Sequence, residues 1–284
     1  MKRWLSTLAV FAVCSAAVRA DVTIVQTMTV EGGMVAMTGQ NIAPKTTTRI
    51  KGLKSRTDIE VGNTASMSTI ADLVAKQIII LRHDQKTAQI VAAAAAGTGT
   101  GTTSTSTSTS TSTATTATVK MDASVTPTGK SQVIDGFKCD EFMFTTTMNM
   151  SEMGGPNVPP EAAAMLKDLS MVMKGSMWVT KDAPGGAEYL AYTKALATAD
   201  LAAAAAGVSG VNMPGMDKMM KAMASVNGLA YLTEMTMKIE GTGQMAEMMR
   251  QMGDMKLTTR TNSVSGTPIS DDVMKVPESY TIVK

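Results

Sequence analysis

Methionine is the side chain whose number and spacing could do chemistry in this sequence. Of 284 residues, 27 are Met, while aromatic residues make up only 4%. Met216, Met219, Met220 and Met223 fall at i, i+3, i+4 and i+7, and Met245, Met248, Met249 and Met252 repeat that spacing. Each set would form one helical face. Met171, Met173 and Met177 alternate along a strand pattern, as do Tyr231, Met235 and Met237 along another. Three roles fit such residues. Thioethers fill irregular core gaps in place of Leu. Being flexible, they also line sites for varied apolar ligands. Several gathered together bind Cu(I), although no histidine accompanies these sets. The ligand-lining role takes Met171, Met173, Met177, Met219, Met223, Tyr231, Met235 and Met237 as its candidate residues.

The other reactive side chains are sparse. His83 is the single histidine and sits in an Arg82-His83-Asp84-Gln85 turn, which predicts a solvated residue. Hydrolytic triads and zinc sites both lean on histidine. With no Gly-x-Ser-x-Gly, His-Glu-x-x-His or paired-Cys pattern, no catalytic residue, metal or cofactor is expected, and the chain is read as non-enzymatic. Cys139 shares a strand face with Phe137 and Glu141, away from Lys138, a setting that predicts an inert thiol. Asp271-Asp272 is too small for an oxygen cage and predicts a solvated turn. Lys51, Lys54 and Arg56 form a small basic cluster around a hairpin turn, read as a solvated face. Gly97-Thr98-Gly99-Thr100-Gly101 looks like a phosphate loop, but no lysine follows and no helix begins there.

The start of the chain predicts a secretory signal over residues 1–20. Lys2 and Arg3 precede an apolar run from Leu5 to Val18, and Val18-Arg19-Ala20 suits cleavage. That run is shorter than the roughly 20 apolar residues of a membrane span. No later stretch qualifies, so no integral membrane segment is expected after signal removal. Without Lys2, Arg3 and Arg19 the 26 basic side chains become 23 against 24 acidic, and the formal net charge of +2 becomes −1. Such a balance excludes a nucleic-acid binder built on a basic patch. Cys14 leaves with the signal, so Cys139 has no intramolecular disulfide partner in a secreted or periplasmic setting.

The elements that must position these side chains are mostly strands. Val22, Ile24, Met28 and Val30 alternate with threonines, the mark of a half-buried strand. Short strands follow at Thr46–Ile50, Ser55–Val61, Ser66–Ile70, Gln77–Arg82 and Thr87–Val91, a spacing that predicts an antiparallel meander. Residues 97–118 are almost all Thr, Ser, Gly and Ala. They lack the apolar side chains that offset ordering entropy and are read as a disordered insertion within one domain over 21–284. Strands resume at Val119–Thr126, Ser131–Ile134, Phe137–Thr147, Met171–Val179, Leu229–Glu240 and Met255–Val264. Leu229, Tyr231, Met235, Met237 and Ile239 are expected on one face. Helices are expected at about 160–169, 185–206, 215–225 and 243–252.

In order and spacing, these segments resemble an uncharacterised family of secreted bacterial proteins related to the outer-membrane lipoprotein carrier. The residues carrying the resemblance are Thr48 through Asp58, Met67-Ser68-Thr69-Ile70 leading to Ile78-Ile79-Ile80-Leu81, and Gly136 through Phe142. Met177 through Asp182 and the terminal Val276-Pro277-Glu278-Ser279-Tyr280 complete it. The resemblance implies an α+β fold, an open half-barrel of curved antiparallel sheet with helices covering its concave face. It also implies partners of one kind, the acyl chains of lipids or lipoproteins held in the apolar interior.

Overall fold

The computed structural model describes residues 21–32, 43–62, 64–92, 122–150, 166–199, 221–222, 224–251 and 253–283. The signal, the Thr/Ser tract, Met219 and Met223 lie outside them, as do most of the expected helices at 160–169 and 215–225.

Alternating apolar and polar residues yield long antiparallel strands. They are β1 (Val22–Gly32), β2 (Lys45–Lys51), β3 (Lys54–Val61), β4 (Thr64–Asp72), β5 (Gln77–Arg82), β6 (Thr87–Ala92), β7 (Asp122–Ile134), β8 (Phe137–Asn149), β9 (Leu169–Thr180), β10 (Leu229–Gly241), β11 (Met255–Ser265) and β12 (Thr281–Val283). All twelve form one open sheet in the order β12-β6-β5-β4-β3-β2-β1-β11-β10-β9-β8-β7. Two meanders therefore meet where β11 pairs with β1, and the chain end returns as β12, parallel to β6. The two stretches expected at Val119–Thr126 and Ser131–Ile134 are one strand, β7, carrying a register shift between Pro127 and Ser131.

The helical cover of the expected fold is overturned, although the helices expected at 185–206 and 243–252 are found at Gly186–Thr198 and Gln244–Gln251. Among the described residues two α-helices accompany the sheet, α1 (Gly186–Thr198) and α2 (Gln244–Gln251), with helical residues also at 166, 221–222 and 224 and a 3-10 turn at Asp271–Met274. The described residues thus form one large open sheet with little helical cover, rather than an α+β half-barrel with helices across its concave face. The physical reason lies in the strands: at 11 to 13 residues, β1, β8, β9, β10 and β11 bury much of their apolar surface against neighbouring rows of the same sheet.

Directly opposed residues of an antiparallel pair share a face. The register therefore gives continuous rows across both meanders. On one face, here the inner face, Val22, Ile50, Ser55, Ala71, Ile78 and Val91 form a row. Ile24, Thr48, Thr57, Thr69 and Ile80 form the next. Past the middle of β1, the rows continue in the other direction and become rich in methionine. On the outer face, Ile70, Ile79, Leu81 and Ala88 are buried beneath Val276 and Tyr280 of the C-terminal segment, which lies over β3–β6 as a strap.

Candidate functional site

A cavity of about 410 Å³ lies between α1 and the inner face of β1–β5. Its floor is made by the two rows above, with Ile24, Ile50 and Ile78 interleaved with Thr48, Ser55, Thr57 and Thr69. Its roof is α1, through Tyr189, Tyr192, Thr193 and Leu196. The helix enters against β1 because Gly185 has φ +69° and lies where a Cβ would come within 2.8 Å of Val22 Cβ. A glycine is required there by both backbone and space.

The polar groups of the lining are unequally engaged. Tyr192 is buried, and its hydroxyl shares a 2.6 Å hydrogen bond with Ser55 Oγ. Thr48 and Thr57 hydroxyls pair at 3.1 Å. Thr193 donates to the Leu190 carbonyl at 3.1 Å, and Gln26 Nε2 donates to Thr261 Oγ1 at 3.0 Å. Tyr189 and Thr69 have no such partner among the described residues. Burial pushes the phenols of Tyr189 and Tyr192 above their ordinary range, with the Ser55 hydrogen bond opposing it for Tyr192. No Asp, Glu, Lys, Arg or His is among the described lining residues.

Five of the sequence-derived candidates come together elsewhere on the sheet. Phe142, Met177, Thr233, Thr259 and Met28 form one row. Phe144, Gly175, Met235, Leu257 and Val30 form the next, and Thr146, Met173, Met237, Met255 and Gly32 the third. Met148, Met171 and Ile239 extend it. Met177 is 1% exposed and packs with Val179, Val226, Phe142 and Phe144. The expectation for Tyr231 is corrected. A register shift between Ala230 and Leu232 leaves Tyr231 as an extra residue, so it does not share the alternation of Met235 and Met237. It packs instead on Phe137, at 5.0 Å between ring centroids, among Cys139 and Trp178. Met248, from the second helical set, is 53% exposed on α2.

Sequence reasoning missed the cavity lining because its floor replaces every other apolar residue with Thr or Ser. The available signal was Tyr189 and Tyr192 at i and i+3 on a helix, opposite strands whose threonines share one parity.

The outer face holds a polar network that the sequence did not announce. Arg49 and Arg56 both pair with the Asp58 carboxylate, the latter through Nε at 2.7 Å. Burial works to raise the Asp58 pKa, but hydrogen bonds from Ser68 and Arg56 and the charges of Arg56 and Arg49 prevail and hold it below its ordinary 3.8. An ionised carboxylate only accepts, so the Ser68 hydroxyl donates to Asp58. Ser68 Oγ then accepts from His83 Nε2 at 2.6 Å, and His83 Nδ1 shares a 2.6 Å hydrogen bond with the Tyr280 hydroxyl. This proton order is the reverse of an activated serine, whose hydroxyl must donate to histidine. Ser68 is also fully buried. The network clamps the strap, and Arg56 adds a bond to the Val273 carbonyl at 3.1 Å.

The expectation of a solvated histidine is corrected with it. His83 is half-buried and bonded at both ring nitrogens, because the chain end returns over β5 and β6. Asp271 and Asp272 are exposed in their turn, as expected, and pair with Lys51 and Lys275; Lys51 also donates to the Ile269 carbonyl, and Lys54 pairs with Asp72. Cys139 is fully buried, and burial raises its pKa, the setting of an inert thiol. Among the described residues no three His, Cys, Asp or Glu side chains gather as a metal site, and no helix is long and apolar enough to cross a membrane.

No protein-family model and no curated protein matches the chain. Among solved structures, the chain is similar to Mycobacterium tuberculosis lipoprotein LppX, over 87% of this chain and 88% of that one, with 8% identity and a TM-score of 0.27. This is a distant likeness of shape that carries no functional argument.

Proposed function

We propose that the chain is a secreted, non-enzymatic binding protein that shelters an apolar ligand, an acyl chain of a lipid or lipoprotein, against the inner face of its sheet. The observation that carries the proposal is the cavity of about 410 Å³ beneath α1, lined by isoleucines, tyrosines and small hydroxyls without an ionised group. That volume is within the roughly 300–1,000 Å³ of small-molecule sites, which are mostly apolar with a few placed polar groups. The basic start and apolar run of residues 2–18 support secretion. The reversed proton order at Ser68 supports a role without nucleophilic chemistry.

The test is binding. Full-length protein recovered from a bacterial periplasm is expected to carry lipid in native mass spectrometry and to bind a fluorescent alkyl probe saturably. Ala71→Trp, which fills the cavity floor, is expected to weaken that binding at least tenfold while the strand signal in circular dichroism persists. Absence of both lipid and probe binding rejects the proposal.

A second reading has one observation in its favour. Met173, Met237 and Met255 are consecutive cross-strand neighbours in one row, so three thioethers sit side by side. Thioethers select Cu(I). Competition against a Cu(I) chelator decides it: no copper taken up at micromolar free metal, about −8 kcal/mol, removes the reading.

A further inference from the structure

We infer that the ligand of the α1 cavity is uncharged and presents a carbonyl oxygen, as in a carboxylic ester, to the hydroxyl of Tyr189. The inference rests on the binding role proposed above and specifies the chemistry of its ligand.

Three observations converge on it. First, no ionised side chain is among the described lining residues. A carboxylate or phosphate drawn under α1 would be a desolvated charge without a partner, which is strongly unfavourable. Second, Tyr192, Ser55, Thr48, Thr57, Thr193 and Gln26 already have hydrogen-bond partners within the protein. Tyr189, from the roof, and Thr69, from the floor, do not. Third, no described side-chain oxygen or nitrogen is both fully buried and unpartnered. Tyr189 is half-buried, so its hydroxyl keeps open surface, and the space it lines is the cavity. That phenol is a donor without a partner in the protein, placed where a ligand in the cavity could supply an acceptor.

An ester meets these conditions. It carries no charge, its oxygens only accept, and chains on either side of it match the isoleucine floor. Two sources share this chemistry, an acylglycerol and the ester-linked acyl groups of a lipoprotein.

The experiment compares chain-matched fluorescent probes on the full-length protein at neutral pH: an alkane, a methyl ester and a carboxylate. The ester is expected to bind at least tenfold more tightly than the carboxylate. Tyr189→Phe is expected to lose about three- to tenfold for the ester, the worth of one hydrogen bond, and to leave the alkane unchanged. Thr69→Val, made separately, reports the second unpartnered hydroxyl and keeps the test decisive if Tyr189→Phe does not fold. Equal binding of ester and carboxylate, or an ester preference untouched by both variants, overturns this inference while leaving apolar binding in place. Binding of no probe overturns both. Competition by a monoacylglycerol against a diacylated lipopeptide then identifies the source, the stronger competitor being the natural class.

Discussion

The β1–β6 half of the sheet is packed on both faces, whereas the β7–β11 half turns an exposed face of Lys174, Glu234, Lys238 and Lys256 to solvent. In the first half α1 lies over the inner face and the C-terminal strap over the outer one, where Ile70, Ile79, Leu81 and Ala88 are buried. The second half carries the methionine rows, with Met177 packed against Val226. The contrast teaches where rigidity resides. A cavity between a helix and a sheet braced from behind can hold its shape when empty, while methionine rows can repack.

The largest expected effect tests the two-sided bracing. Leu81 is fully buried between β5 and the strap, and Leu81→Ala is expected to cost roughly 2–5 kcal/mol in urea unfolding. Met173→Ala, at a half-buried site of the other half, is expected to cost distinctly less. Equal losses would erase the distinction.

Next in size is the clamp that belongs to one half alone. Asp58→Asn leaves Arg49 and Arg56 without their carboxylate and is expected to cost roughly 1.5–3 kcal/mol, the range for hydrogen bonds to charged groups. The pH dependence has a fixed sign. The folded pKa of Asp58 lies below its ordinary 3.8, so its contribution is complete above that value and is lost as pH falls through the folded pKa. Amide exchange of the strap is expected to rise in that acid range before exchange of β9 and β10 does. Simultaneous release would unseat the clamp.

A third substitution acts on the methionine half. A Cβ on Gly175 would lie 2.1 Å from the Glu234 carbonyl oxygen and 2.7 Å from Phe144 Cζ. Phe144 therefore folds over the glycine in the row that also holds Met235. Gly175→Ala is expected to cost roughly 1–3 kcal/mol through overpacking, with near-ultraviolet circular dichroism changing at Phe144 and Trp178. Ligand binding under α1 is expected to survive it, because the cavity belongs to the other half.

The strands were legible because period-two alternation is written in each one, from Val22–Val30 through Leu229–Glu240. The two-sided burial of β5 was also visible in principle, since Ile78-Ile79-Ile80-Leu81 is a continuous apolar run of the kind that buried strands carry. What could not be read locally was tertiary. A one-residue register shift beside Tyr231 leaves no trace in composition, yet it takes that ring out of the methionine rows. The return of the chain end gave His83 one of its two partners, Tyr280, 197 residues away in sequence. Two of the expected helices stand at Gly186–Thr198 and Gln244–Gln251, but helical propensity does not state what a helix covers.

The smallest expected effect is the sharpest probe of the methionine rows. Met237 faces Met173 on one neighbouring strand and Met255 on the other. Leu conserves its volume, so Met237→Leu is expected to change stability by less than about 1.5 kcal/mol if the row is soft interior surface. The same substitution removes the middle thioether of the three. Copper competition and thermal unfolding on this single variant therefore separate the two roles. Unchanged melting with Cu(I) uptake lost assigns the row to metal, and unchanged melting with no uptake by either protein leaves it as packing. A loss well above 1.5 kcal/mol would show that the row is shaped for sulfur and that the methionine half is as tightly specified as the braced one.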